Sequence, residues 1–303
     1  MTAPVRTTET PVPESLPPID SQCSAVRNHT RHYAEFLFVY PVISRRSRGL
    51  SIGINLNPDK VCNFDCIYCE VDRRSPPRVK RVDLPRLRKE LVALIRLARD
   101  GGLALEPGFR ETAHLTGVIR DLAFSGDGEP TMIQNFAECV ETVAAVKQAE
   151  GLGQTQIVLI TNAAGLDKAD VRRGLEIMDA NQGEIWGKLD AGTEDYFKKA
   201  NRTPIQFDRI LTNLLETARV RPIIIQTLLL KVHGQMMPLP ELEAYSARLT
   251  AMIRAGGRIK AVHAYTIARP TPEPFATKLT VEELEFQAAI IRQRTGLPVV
   301  TFA

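Results

Sequence analysis

Apolar positions fall into two alternating signatures from residue 50 onward. Short continuous apolar runs read as strands buried on both faces: LSIGINL at 50–56, DLAFS at 121–125, IVLIT at 157–161 and IIIQTLLL at 223–230. Between them, apolar residues return at helical spacing. Leu87, Leu91, Leu94, Ile95 and Ala98 predict a helix over 84–99, stopped by Gly101 and Gly102. Further helices are predicted over 136–150, 167–178, 207–219, 239–254 and 281–295, the last with Thr280 as its N-cap. Strands are predicted over 184–189 and 258–267, with a short final one over 298–302.

The result is a row of six strand–helix units. Such alternation means a parallel sheet with helical crossovers, an α/β fold. Six units are too few for a full eight-unit barrel. A partial barrel and an open doubly wound sheet both remain, and either puts chemistry at the C-terminal ends of the strands.

The chain before this region reads differently. Five prolines fall in the first 18 residues with almost nothing apolar, so 1–30 is expected to be a disordered Pro-rich segment. Order is expected from near Tyr33, where an apolar run spans 36–40, and 31–303 is expected to form one domain. No apolar run reaches the roughly 18 residues of a membrane span, and no signal peptide is visible, so no membrane partner and a cytoplasmic location are expected. A net charge of +4 is weak for a dedicated nucleic-acid binder.

Cysteine usage changes the picture. Of five cysteines, Cys62, Cys66 and Cys69 stand in C-x3-C-x2-C spacing just after the first predicted strand. Thiolates ligate iron–sulfur clusters, and three of them leave one iron of a four-iron cube open. Structural zinc usually takes four ligands in C-x2-C pairs, for which His114 or Cys139 would have to complete the set. Cys139 lies within a predicted helix and reads as core, and Cys23 lies in the Pro-rich segment.

The triad with its aromatic residue before the last cysteine resembles the signature of the radical S-adenosylmethionine superfamily. The segments GINLNPDKVCNFDCIYC, FSGDGEPT, ITNAAGL, KLDAGTEDYFKKANRT and YTIARPTPEP, with VYPVISRRSRGLSIGINL upstream, resemble the branch of wyosine-type tRNA base synthetases and related Fe–S oxidoreductases. The resemblance covers about residues 38–285. It implies a partial (β/α)6 TIM-like barrel and a [4Fe–4S] cluster on Cys62, Cys66 and Cys69. The open iron would bind S-adenosyl-L-methionine, which is reductively cleaved to a 5′-deoxyadenosyl radical. The chain departs from the wyosine pattern in lacking a second cysteine trio upstream; only Cys23 stands there.

The resemblance also implies that the turn Gly126, Gly128 and Glu129 binds the methionine amino group. Asn162, Lys188 and Asp190 fall at strand ends, where family members hold the ribose and carboxylate of the cofactor; a Lys188–Asp190 surface pair is the plain alternative. Tyr68 either contacts adenine or packs the loop. Gln226, within an apolar strand, is either a satisfied core amide or a cofactor-pocket group. Arg269 is a candidate for an anionic group. Asn201 and Arg202 either face substrate or end a helix.

Two basic stretches flank the cysteines: Arg45, Arg46 and Arg48, then Arg73, Arg74, Arg78, Lys80 and Arg81. They read as a solvated face, a tRNA-binding face, or a dock for an acidic electron donor of the flavodoxin or ferredoxin type. The leading expectation is a radical enzyme on an unidentified substrate. The alternatives are a tRNA base-modifying enzyme and a non-catalytic Fe–S or zinc binding module.

Overall fold

Extended apolar runs pair side by side in chain order, and this makes the architecture. The computed structural model describes residues 31, 33–71, 81–269 and 271–303. The Pro-rich segment, Cys23, Arg73, Arg74, Arg78 and Lys80 lie outside the described residues.

Ten strands are described: β1 Val39–Ser44, β2 Gly49–Ile54, β3 Ile119–Phe124, β4 Gln156–Thr161, β5 Gly183–Lys188, β6 Ile223–Leu228, β7 Lys231–Val232, β8 Ile259–Tyr265, β9 Ala276–Thr277 and β10 Val299–Phe302. Eight form one sheet in the order β1-β2-β3-β4-β5-β6-β8-β10. Only β1–β2 is antiparallel; every later pair in that sheet is parallel. A doubly wound sheet would reverse its strand order. This one never does, so the sheet curls one way into a partial barrel.

The crossover helices are α1 Leu84–Arg99, the short α2 Gly102–Leu105 and α3 Ala113–Thr116, then α4 Phe136–Ala149, α5 Ala169–Asp179, α6 Glu194–Asn201, α7 Phe207–Val220, α8 Leu239–Arg254 and α9 Val281–Thr295. Their apolar stripes cover the outside of the sheet. Leu87, Leu91, Leu94 and Ile95 of α1 join Leu50, Ile52 and Ile54 of β2 in one core cluster, which also holds Cys139. Thr280 caps α9 in a capping box with Glu283, as expected. No described helix is long and apolar enough to cross a membrane.

Three elements were not predicted as such. The run at 36–40 continues as β1, which turns back on β2 as a hairpin. The carboxylate of Glu90 on α1 holds its start, accepting from the amides of Leu37 and Phe38 at 3.0 and 2.7 Å. Helix α6 follows β5, with Thr193 as its N-cap. The small β7–β9 ribbon lies beyond the parallel sheet.

Candidate functional site

The cysteine loop leaves β2 at the C-terminal edge of the barrel. Apolar residues within it pin it down. Phe64 packs edge-on against Phe197 of α6, with ring centroids 5.6 Å apart. Ile67 and Tyr68 join Leu228, Leu230 and Ile267 in a separate buried cluster. Cys62, Cys66 and Cys69 are half-buried residues, and all three line one cavity of about 310 Å³. Burial pushes the Cys66 thiol up to about 11, against the pull of the nearby Lys188 ammonium.

Polar groups at neighbouring strand ends clamp this loop. The amides of Asp65 and Ile67 donate to the carbonyls of Asn201 and Ala200, at the end of α6. Asn201 Nδ2 lies 3.3 Å from Cys66 Sγ, 3.2 Å from the Tyr68 hydroxyl and 3.1 Å from Asp190 Oδ2. Asn162 Nδ2, beyond β4, donates to Asn63 Oδ1 at 2.7 Å and lies 3.8 Å from Cys62 Sγ. The Tyr68 hydroxyl donates to Asp190, whose other oxygen accepts from the Leu228 amide at 2.8 Å. Lys188 stands 3.9 Å from Asp190 Oδ2 and 4.5 Å from the centre of the Tyr68 ring. Burial alone would lower Lys188, but Asp190 and its other neighbours outweigh it and hold it charged. Burial and the same Asp190 push Tyr68 well up.

The Gly-rich turn after β3 approaches the loop from the other side. The Glu129 amide donates to the Val61 carbonyl at 3.0 Å. A Cβ at Gly128 would stand 2.1 Å from that same carbonyl oxygen, and one at Gly126 would stand 2.4 Å from Asn55 Oδ1. Both positions therefore require glycine for close approach. Glu129 Oε1 accepts from Thr131 N, Thr131 Oγ1 and Thr161 Oγ1, while Oε2 accepts, among the described residues, from the Asn162 amide alone, at 2.7 Å. Asp127, unremarked in the sequence, takes bonds from Asn55 Nδ2 at 2.7 Å and Arg31 Nη1 at 3.0 Å.

Deeper in the barrel the character changes. Arg46, at the tip of the β1–β2 hairpin, sets its guanidinium 5.4 Å from the Trp186 ring centre and 5.3 Å from that of Tyr265. Its sequence neighbour Arg45 bonds the Ala303 carbonyl, and Arg48 is exposed. The basic stretch is thus not one solvated face. Gln226 is completely buried on β6, and neither amide atom has a partner among the described residues. His263 beside it on β8 lacks a partner at Nδ1.

The structure therefore brings Cys62, Cys66, Cys69, Tyr68, Gly126, Gly128, Glu129, Asn162, Lys188 and Gln226 to one cavity. Asp190 sits behind Tyr68 and Lys188 as their partner. Arg269 also lines the cavity, paired with Glu70. Arg202 instead pairs with Glu273, just past the end of α6. Arg46, Trp186 and Tyr265 went unrecognised as cavity residues. The one available signal was the lone tryptophan on a strand that ends in Lys188.

Among the described residues, no three His, Cys, Asp or Glu side chains are grouped as ligands of a single metal ion. The three cysteines line one cavity. That donor set fits a multi-iron cluster, which offers each thiolate its own iron. The glycine-lined turn and the unpaired Gln226 amide in the same cavity fit a polar organic ligand beside it.

No family profile matches the chain. It is 26% identical over 249 residues to a UPF0026 protein of Helicobacter pylori, covering 80% of this chain and 70% of that one. It is 28% identical over 181 residues to a UPF0026 protein of Methanocaldococcus jannaschii, covering 58% of this chain and 46% of that one. A protein of Brachyspira hyodysenteriae named GTPase Obg is 26% identical over 182 residues, 59% of this chain and 23% of that one. The chain thus spans less than half the length of the last two. Among solved structures, TYW1 with a lysine–pyruvate adduct bound matches with a TM-score of 0.51 at 15% identity, over 80% of this chain and 73% of that one. Streptococcus suis SuiB bound to S-adenosylmethionine matches with a TM-score of 0.52 at 11% identity, over 85% and 49%. The chain shares its fold with these two solved structures, TYW1 and SuiB.

Proposed function

We propose that this protein is a radical S-adenosylmethionine enzyme whose [4Fe–4S] cluster is held by Cys62, Cys66 and Cys69. The observation that carries the reading is the convergence of three half-buried cysteines and the 126–129 turn on one cavity at the strand ends. The cluster that Cys62, Cys66 and Cys69 would hold would supply one electron for reductive cleavage of the cofactor's sulfonium, the chemistry of a 5′-deoxyadenosyl radical enzyme.

The chain's own residues bind and orient. Glu129 Oε2, with one bond already from Asn162, keeps a lone pair for the cofactor's ammonium. Gly126 and Gly128 let the turn backbone reach the same group. Lys188, held charged by Asp190, faces the cofactor carboxylate. Asp190 and Asn162 chiefly hold the loop, and Asn162 would be the candidate for a ribose hydroxyl. Tyr68 presents its ring to the cavity, and Gln226 completes the polar wall. Turnover would require a one-electron donor of the flavodoxin or ferredoxin type.

Anaerobic reconstitution with iron and sulfide tests the reading. The wild-type chain should gain a broad visible iron–sulfur absorption and, once reduced with S-adenosylmethionine present, release 5′-deoxyadenosine. Cys66→Ala should lose both. A wild-type chain that yields neither 5′-deoxyadenosine nor methylthioadenosine under any reductant overturns the proposal.

A further inference from the structure

The floor of the cavity has unsatisfied chemistry that the cysteine loop and the turn do not use. Arg46 lines this cavity, yet no hydrogen bond or ion pair joins its guanidinium to a described residue. The other cavity cations differ. Arg31 pairs with Asp127, Arg269 with Glu70, and Lys188 with Asp190. Asp121 attracts Arg46 from a distance, but its own carboxylate accepts from Ser51.

The position of Gln226 makes this a site rather than a loose charge. In the sheet register Gln226 pairs with Lys188 on one side and His263 on the other. Trp186 and Tyr265 each stand two residues along those two strands, on the same face, so they flank Gln226 diagonally. Arg46 stands within stacking distance of both rings and lines the same cavity as Gln226. A completely buried amide with no partner at Nε2 or Oε1 is costly unless a ligand completes it.

We infer that this floor is a carboxylate-binding subsite for the substrate. The substrate would be a small organic monocarboxylate carrying an N–H or O–H group near its carboxylate. The guanidinium fork matches a planar carboxylate, and Gln226 Nε2 adds a further donor. Gln226 Oε1 accepts from the neighbouring N–H or O–H. One guanidinium, partly offset by Asp121, suits a single negative charge better than a phosphate dianion. The Trp186 and Tyr265 rings form apolar walls for the substrate's body. The assignment of this ligand as substrate rests on the radical-enzyme reading; the anion site itself does not.

The test uses the full chain and its only tryptophan, Trp186, which stands against Arg46. Benzoate, benzamide and phenyl phosphate are titrated while Trp186 fluorescence is followed, with and without reconstituted iron and sulfide. Benzoate is expected to give a saturable change and benzamide none. Arg46→Gln should weaken benzoate about tenfold or more, and Gln226→Met should weaken it less. Arg46→Lys, which keeps charge but loses the fork, should fall between wild type and Arg46→Gln. Equal benzoate binding by folded Arg46→Gln overturns the subsite, as does the absence of any benzoate response. Tighter binding of phenyl phosphate overturns the monocarboxylate assignment. Competitive displacement of benzoate by S-adenosylmethionine would give the site to the cofactor and overturn its assignment to substrate. Because the readout needs no turnover, a chain that makes no 5′-deoxyadenosine still answers it.

Discussion

The rim and the floor of one cavity are built on opposite principles. At the rim, polar side chains are joined to one another: Asp190 accepts from Tyr68 and Leu228 N, Glu129 from four donors, and Asn162 holds Asn63. Asn201 Oδ1 alone in that clamp has no partner among the described residues. At the floor, both amide atoms of Gln226 and Nδ1 of His263 are unpartnered, and Arg46 faces rings instead of a carboxylate. Satisfied buried groups fix geometry; unsatisfied ones in a cavity wait for a ligand. The rim thus holds the cysteine loop in place, while the floor leaves polar atoms open to a ligand.

The sharpest break in that comparison is Asp190→Ala. It would leave the Lys188 charge, the Tyr68 hydroxyl and the Leu228 amide without their shared partner. Removing one member of a buried charged pair costs about 3–5 kcal/mol. Denaturant unfolding should show a loss of that size, and reconstituted iron content should fall with it. A change under about 1 kcal/mol, near the usual exposed-pair value, would mean the clamp does not hold the loop.

Titration separates the floor next. Burial, and then the Arg46 charge, push His263 down to about 4 from its ordinary 6.5. Glu184 opposes the shift and Lys260 adds to it, while Trp186 and Phe302 pack edge-on against the ring, each 5.1 Å away. The folded chain therefore keeps this imidazole neutral where the unfolded chain would protonate it. Its contribution is fully present above pH 6.5 and is lost as pH falls toward 4. The shift corresponds to roughly 3–3.5 kcal/mol. Stability measured from pH 7 down to 4 should fall accordingly, and His263→Phe should flatten that slope. An unchanged slope in His263→Phe would remove His263 from the account.

How much of this was legible beforehand follows the same division. The strand–helix alternation was readable because buried parallel strands such as 157–161 and 223–230 carry continuous apolar runs. The cysteines and the Gly-rich turn were readable because their spacing is local. Helix α6 was legible only as a possible helix end at Asn201 and Arg202: its eight residues, EDYFKKAN, bury only Phe197, Ala200 and Asn201. The role of Asp190 was misweighted, since its partners lie 122, 38 and 11 residues away in sequence. Arg46 was hidden among neighbouring arginines, because only the β1–β2 hairpin, unpaired in the sequence pattern, carries it into the barrel. Distant pairing, rather than composition, decides which of several like residues enters a site.

Gln226→Met carries the smallest expected change and the most discriminating one. A buried amide that is bonded within the protein loses stability when replaced, by roughly 1–3 kcal/mol through the partners left behind. An amide bonded to nothing in the protein leaves no such partner, and a methionine of similar length relieves its desolvation. Gln226 belongs to the second case, since neither of its amide atoms has a partner among the described residues and it is fully buried. Unfolding of Gln226→Met without added ligand should therefore be unchanged or shifted upward by at most about 1 kcal/mol. A clear loss of stability would show that Gln226 is an ordinary core amide. It would also erase the distinction between rim and floor, because both would then serve the fold rather than a ligand.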